Sequence, residues 1–311
     1  MRKVILYLIF SMIVFAQQTK AEAPIQTYKT DNNQLKVLSW NIYMLPYISL
    51  FNHNGDRAKA IVAKLHDSDY QIIVFQEAFS SKCRHILANG LIKEFPYQYG
   101  PINNNNTPFR TNSGLWIVSK IPLSELASIQ FSRSEGYDAV ARKGAVLFQG
   151  NFQGAPFQLL TTHLQADNSS SVRGKQCAEI KEHLLNPFYR KDTPQLICGD
   201  FNIDMDDTPN YEQMLQTLDA QNGELSGTVK VTYDEVNNNL AHIANGKRRV
   251  IDYVLVRNSE LIHKIERKVQ TFYSQVSGKA TNLSDHYAME FNVNFNAVVV
   301  DNSLAQVDFL K

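Results

Sequence analysis

Tyr70-Gln71-Ile72-Ile73-Val74-Phe75-Gln76-Glu77 is the stretch whose reading decides the fold. From Tyr70 to Phe75 it is nearly all apolar, which predicts a strand buried on both faces. It then ends on an amide and a carboxylate, so Glu77 is expected to emerge at a sheet edge. The same pattern recurs in both directions along the chain. Leu35 to Ile42 reads as a strand with Trp40-Asn41 near its end, and Phe157 to Thr162 runs into His163-Leu164-Gln165. Gln195 to Gly199 runs into Asp200-Phe201-Asn202, and Ser284-Asp285-His286 forms a further polar cluster near the C-terminus. Strand ends tipped with carboxylate, amide and imidazole predict one site assembled along one sheet edge. Such a donor set suits a divalent metal and a phosphate ester.

Helical spacing appears over Asp56 to Leu65, where Ala58, Ile61, Val62 and Leu65 share a face. It appears again over Ser81 to Phe95 before Pro96, over Val172 to Leu185, and over Tyr211 to Leu218. Gly114–Ser119, Gly144–Gly150, Val250–Val256, Lys268–Phe272 and Ala288–Phe295 read as further strands. Strands occur both with and without an intervening helix. That predicts an α/β four-layer sandwich, two mixed β-sheets packed face to face with helices on the outside, rather than one fully parallel sheet.

The chain has 311 residues, 44% hydrophobic and 20% charged, which excludes disordered and collagen-like classes. Met1-Arg2-Lys3 followed by the apolar run Val4 to Ala16 reads as a signal peptide over 1–21, with cleavage between 16 and 23. A retained N-terminal anchor is the other reading. Residues 22–311 carry no repeat, no Pro-rich linker and no composition break, so one domain is expected there. The 31 basic and 30 acidic side chains nearly cancel, which argues against nucleic acid held by bulk charge. Lys247-Arg248-Arg249 is the one local basic run, either a binding patch or a solvated loop. Three cysteines make no disulfide framework; Cys198 reads as core, and Cys83 and Cys177 are free to pair in an oxidising compartment.

Glu77 is a natural ligand for a hard cation, and Asn41 is placed to orient it or to touch the metal. Asp200 and Asn202 are two apart, so on extended backbone they point the same way; an Asx-turn is the alternative. His286 needs an orienting acid to work as a general base. Asp285 is its neighbour and points elsewhere in extended backbone. Asp252, inside the apolar run Val250 to Val256, needs a partner and is the better candidate.

In this order the motifs resemble the endonuclease/exonuclease/phosphatase superfamily, from Ser39-Trp40-Asn41 to Ser284-Asp285-His286. Within it they are most similar to secreted bacterial neutral sphingomyelinases. The residues that carry this are Asn41-Ile42-Tyr43-Met44-Leu45-Pro46, Phe75-Gln76-Glu77-Ala78-Phe79, Phe95-Pro96-Tyr97-Gln98 and Gly114-Leu115-Trp116-Ile117-Val118-Ser119-Lys120. Lys143-Gly144, Thr162-His163-Leu164-Gln165-Ala166-Asp167 and Ser284-Asp285-His286-Tyr287 extend it. The resemblance implies a secreted, extracellular or periplasmic, phosphodiesterase acting on a membrane sphingolipid, with peripheral membrane contact. A secreted nuclease, or an enzyme on another phospholipid or phosphoinositide, is the alternative. It implies Mg²⁺, with Mn²⁺ or Co²⁺ as substitutes, held by Glu77 with Asn41 beside it and helped by Asp285. It implies His286 as general base oriented by Asp252, Asp200 and Asn202 flanking the phosphate and the attacking water, and His163 at the phosphoryl charge or leaving group. Lys143 and Asp167 are expected near the phosphate.

In one respect the chain departs from that family. The long aromatic hairpin expected before Ser-Asp-His is replaced by the short stretch Thr271 to Leu283, with Phe272 and Tyr273 its only aromatics. Tyr47, Leu50 and Phe51 offer an alternative membrane contact, or pack on their own protein. Tyr43, Trp116 and Tyr137 are candidate aromatic faces for a choline headgroup.

Overall fold

The structure is a computed structural model, and it describes residues 34–45, 53–105, 110–166, 169–241 and 245–296. The expected signal peptide, Asp167, and the Tyr47, Leu50 and Phe51 loop lie outside the described residues.

Two sheets make the body. The first contains β1 (Leu35–Asn41), β2 (Ile72–Gln76), β3 (Tyr97–Tyr99), β4 (Trp116–Ser119), β9 (Leu225–Ser226), β13 (Ile262–Gln270) and β16 (Ala288–Phe295), in the order β3-β4-β2-β1-β16-β13-β9. The second contains β5 (Leu123–Gln130), β6 (Gly144–Phe152), β7 (Ala155–His163), β8 (Gln195–Asp200) and β12 (Asp252–Arg257), in the order β12-β8-β7-β6-β5. Two ribbons, β10–β11 (Tyr233–Asp234 with Arg248–Arg249) and β14–β15 (Tyr273–Val276 with Lys279–Asn282), stand apart from the sheets.

Strand alternation explains the layers. In β1 and β2, Leu35, Val37, Ile72 and Val74 face inward, onto Val146, Phe148, Leu159, Leu196 and Val254 of the second sheet. The intervening Leu38, Trp40, Ile73 and Phe75 face outward, under α1 (Asn54–Leu65) and α2 (Ser81–Leu91). The second sheet repeats this: Leu147, Leu160, Ile197 and Leu255 point outward, under α3 (Ser170–Ile180) and α4 (Thr208–Leu218). A strand must therefore be apolar on both faces, which is why Ile72 to Phe75 shows no polar interruption. Each fully buried Leu, Ile or Phe contributes about 1.5–3 kcal/mol. This is the expected four-layer α/β sandwich.

Several expectations need correction. The helix from Ser81 ends at Leu91 instead of running to Phe95. The helix predicted over Val172 to Leu185 changes after Ile180 into a wider π-turn, Lys181–Leu185. The edge strand β5 and the hairpin β14–β15 were not foreseen. Cys83 packs under the first sheet and Cys177 under the second, on opposite outer layers, and all three cysteines are free thiols. Cys83 and Cys177 cannot pair.

Connectivity places the site. β1 pairs parallel with β2, and β7 parallel with β8, so four strands deliver their C-terminal ends in the same direction. β12 runs antiparallel to β8 with Asp252 opposite Asp200, and β16 antiparallel to β1 with Met289 opposite Ser39. Those two strands begin where the other four finish.

Candidate active site

Asn41, the last residue of β1, is buried and bridges two carboxylates. Its Nδ2 donates to Glu77 Oε1 at 3.2 Å and to Asp200 Oδ2 at 3.0 Å. Its Oδ1 accepts from Tyr43 N at 3.1 Å. Asn41 thus orients Glu77, as the sequence allowed, and ties it to Asp200 across the two sheets.

Glu77 follows β2 in a left-handed conformation, φ 55°. Such a backbone costs a residue other than Gly on the order of 1–3 kcal/mol and persists only where surroundings enforce it. Here Ala78 N donates to Gly114 O, and Glu77 O accepts from Met44 N. Glu77 Oε2 is out of contact with water and has no partner among the described residues. Burial first, and then the charge of Asp285, push the Glu77 carboxyl up to about 7; Lys143, His286 and the Asn41 hydrogen bond oppose this. Asp285 is raised too, by burial and then by Asp200, against His286, Arg57 and the Ser284 hydroxyl. Crowded carboxylates with an unpaired oxygen fit a hard divalent cation.

Asp200 ends β8. Its Oδ2 lies 3.5 Å from His163 Nε2 and 3.7 Å from His286 Nε2, so the two imidazoles flank it. Its Oδ1 accepts from Asn202 N at 3.0 Å, an Asx-turn. Asn202 is left-handed, φ 51°, so the backbone is not extended there. Its Nδ2 donates to Leu164 O at 3.2 Å. The extended reading of Asp200-Phe201-Asn202 is therefore replaced by the turn, which still leaves both residues at the site.

His286 Nδ1 lies 2.9 Å from Asp252 Oδ2. Burial pulls this imidazole down, but Asp252, Asp200 and Asp285 outweigh it and hold His286 well above its ordinary range. His163 behaves oppositely: burial and the nearby Lys143 ammonium, with a smaller push from His286, bring it down to about 3, against Asp200. His163 is a neutral ring, with Lys143 packed beside it. Lys143 Nζ is buried 3.0 Å from His163 Nε2, donates to Leu164 O at 2.9 Å, and pairs with Asp138 at 2.8 Å.

Asp200, Asp252 and His286 also lie close enough to share an ion. Within this set His286 Nδ1 is already paired with Asp252 Oδ2 at 2.9 Å.

Other expectations fare differently. Trp116 is buried in the outer core, stacked on Phe75, so it offers no face to a headgroup. Tyr43 lies against the Arg57 guanidinium, whereas Tyr137 is 93% exposed on the 3₁₀ turn Gly136–Val140 that carries Asp138. In Lys247-Arg248-Arg249 two of the three cations are paired: Arg248 with Asp234 at 3.1 Å and Arg249 with Glu235 at 3.3 Å. The segment before Ser284 forms the short β14–β15 hairpin, turning at Ser277-Gly278. Asp138, Arg57 and the loop after Thr232 are not marked by any local pattern: Asp138 meets Lys143 across a turn, and Arg57 meets Leu283, 226 positions away, only in the fold.

A four-layer α/β sandwich with carboxylates, an acid-oriented histidine and a buried lysine at one strand edge defines a class, and the chain belongs to it. It is a member of the endonuclease/exonuclease/phosphatase family, whose model matches residues 38–286. It is similar to sphingomyelinase C 2 of Leptospira interrogans, 29% identical over 287 residues, covering 85% of this chain and 45% of that protein. The chain thus spans less than half the length of that relative. It is 27% identical to a phospholipase C of Staphylococcus aureus, covering 73% of this chain and 74% of that one. Among solved structures, a Staphylococcus aureus beta toxin superposes with a TM-score of 0.74 at 26% identity, covering 83% of this chain and 99% of that one.

Proposed function

We propose that this chain is a secreted, Mg²⁺-dependent phosphodiesterase that hydrolyses sphingomyelin to ceramide and phosphocholine. The observation that carries the reading is the Asp252–His286 pair set beside Asp200, with Glu77 Oε2 buried and unpaired nearby. The names of the relatives, sphingomyelinase C and phospholipase C, support the substrate class. Magnesium bound to a structure of beta toxin supports the metal.

Glu77 and Asp285 would hold the cation, with Asn41 keeping Glu77 in place. When bound, the cation supplies charge neutralisation at the phosphate and relieves the crowding of the carboxylates. His286 Nε2 takes the proton of the attacking water while Asp252 holds Nδ1–H and so fixes the tautomer. Asp200 and Asn202 flank water and phosphate. The Lys143 ammonium offsets charge on the phosphoryl oxygens, and neutral His163 hydrogen-bonds beside it, at the phosphate or at the departing alkoxide. The water oxygen bonds to phosphorus as the bond between phosphorus and the ceramide oxygen breaks; the ceramide oxygen takes up a proton from solvent and leaves as the alcohol, and His286 returns to solvent the proton it accepted. Asp167 is assigned to the phosphate side as well.

Met1 to Ala21 would direct export, leaving 22–311 as a single catalytic domain. The short β14–β15 hairpin favours shallow, peripheral contact with the lipid surface over deep insertion. Manganese or cobalt would substitute for magnesium at such an oxygen-rich site. The test is to offer the purified protein sphingomyelin, phosphatidylcholine, phosphoinositides and DNA, each with Mg²⁺ and with EDTA. Phosphocholine released from sphingomyelin only with metal is the expected result; DNA nicking without lipid turnover would overturn the reading.

A further inference from the structure

Leu283-Ser284-Asp285-His286 carries two of the proposed functional side chains yet lies outside both large sheets. Four consecutive backbone carbonyls along it are each taken by a side-chain donor from elsewhere. Arg57 of α1 donates to Leu283 O from Nε at 3.1 Å and from Nη2 at 2.9 Å. Trp40 Nε1 donates to His286 O at 3.1 Å. The two carbonyls between them share one donor group. Asn238 Nδ2 lies 2.9 Å from Ser284 O and 2.9 Å from Asp285 O.

Asn238 sits in Asn237-Asn238-Asn239, which reads in sequence as an ordinary polar loop. In the fold it is buried while both neighbours are exposed. A buried amide whose two hydrogens go to successive carbonyls of a catalytic segment does more than close a turn. Its other end does close one: Oδ1 accepts from Leu240 N at 3.0 Å. The two functions reside on different atoms of one side chain and can be separated. The loop is itself anchored next to the catalytic pair, since Thr232 Oγ1 accepts from Asp252 N at 3.2 Å and Thr232 O from Tyr287 N at 2.7 Å.

We propose that Asn238 is a positioning residue that fixes the backbone of Ser284-Asp285 so that the Asp285 carboxylate is held toward Glu77 for the divalent cation. This rests on the reading of Glu77 and Asp285 as the cation-holding pair. Outer residues that orient metal ligands typically change metal affinity roughly 10–100-fold when removed. They do so by letting the ligand wander, without touching the ion.

The experiment compares Asn238→Asp and Asn238→Ala in the otherwise intact protein. Asn238→Asp keeps the Oδ1 acceptor for Leu240 N but replaces the double donor with an oxygen facing two carbonyls. Mg²⁺ and Mn²⁺ binding is measured by calorimetry, with melting in EDTA as the check on folding and kcat and KM taken at saturating metal. Expected are a roughly 10-fold weaker cation in Asn238→Ala, a larger loss in Asn238→Asp, and a KM for the phosphodiester near that of the unaltered protein. Wild-type cation affinity in Asn238→Asp would overturn the proposal, whatever Asn238→Ala does, because turn closure would then be its whole role. Unfolding of both variants in EDTA would equally make Asn238 a structural residue and overturn it. If the unaltered protein binds neither cation, the reading of the site fails first and this inference with it.

Discussion

Asp252 Oδ2 stands 2.9 Å from His286 Nδ1, joining the first residue of β12 to a residue that precedes β16 across the interface between the sheets. Asp285, adjacent in sequence, does not make that bond. The carboxylates around His286 hold its proton more tightly than usual. A base works unprotonated, so activity should rise with pH through a raised value and fall away on the acid side. Asp252→Asn removes one of the causes of that rise, so its acid limb should move to lower pH even as kcat drops roughly 10²–10⁴-fold. His286→Ala should lose turnover by a similar factor and keep its fold. Profiles of kcat/KM against pH at one saturating Mg²⁺ concentration check this, and an unmoved limb in Asp252→Asn would remove Asp252 as the orienting acid.

Glu77 makes the cation-free protein sensitive to pH in a defined direction. Its carboxyl is raised from 4.5 to about 7 in the fold, so the native state holds a proton that the unfolded chain has already released. The associated stability is fully present below about pH 4.5 and is lost as pH rises through about 7. Glu77→Gln cannot ionise, and in EDTA at pH 8 it should be the more stable protein by on the order of 1–3 kcal/mol. Magnesium should then stabilise the unaltered chain strongly and the variant little. Urea titrations at pH 5 and 8 decide it; identical pH dependence in both proteins would mean that Glu77 carries no such strain.

What could be read in the sequence was the part that follows from local rules. Ile72 to Phe75 is apolar without interruption because helices cover one face and the other sheet covers the second. Asp252 was traceable to His286 because an acid in an apolar run must find a partner. The edge strand Leu123–Gln130 escaped notice because half its side chains meet solvent and Ser, Glu and Gln break its pattern. Nothing local announces the left-handed backbones at Glu77 and Asn202, which are imposed by neighbouring segments. Asp138 and Asn238 gain their meaning only from partners that the fold brings to them.

Asp138 and Lys143 form a largely buried ion pair at 2.8 Å, the lysine side chain being 2% exposed and the aspartate 14%. Removing one charge leaves the other unpaired in a site with little water, which typically costs roughly 3–5 kcal/mol. Asp138→Asn should therefore destabilise the protein by about 3 kcal/mol. Adding Lys143→Met should restore most of that stability, since an apolar pair of similar volume is tolerated in place of a buried ion pair. Activity should not return in the double variant, because the cation beside His163 is gone. Denaturation and turnover of the unaltered protein and the two variants separate the two effects, and recovery of activity in the double variant would exclude Lys143 from charge stabilisation.

Gly199 tests whether β7 and β8 must approach so closely to set His163 beside Asp200. Its φ is 145°, and a Cβ there would lie 2.0 Å from Thr162 O, a backbone atom that cannot swing aside. Thr162 is its register partner in the parallel ladder, and the next pair along is His163 with Asp200. An added methyl must push the strands apart one residue before His163 and Asp200, the two side chains proposed for the site. Gly199→Ala should cost about 3 kcal/mol or more, from strained backbone and overpacking together. Its kcat should fall further than that of Gly154→Ala, at a β-turn glycine with positive φ, 93°, but open space around it. Gly154→Ala meets only the backbone cost, so it isolates the close approach as the cause. Equal losses of stability and kcat in the two variants would show that the spacing of β7 and β8 does not govern the site.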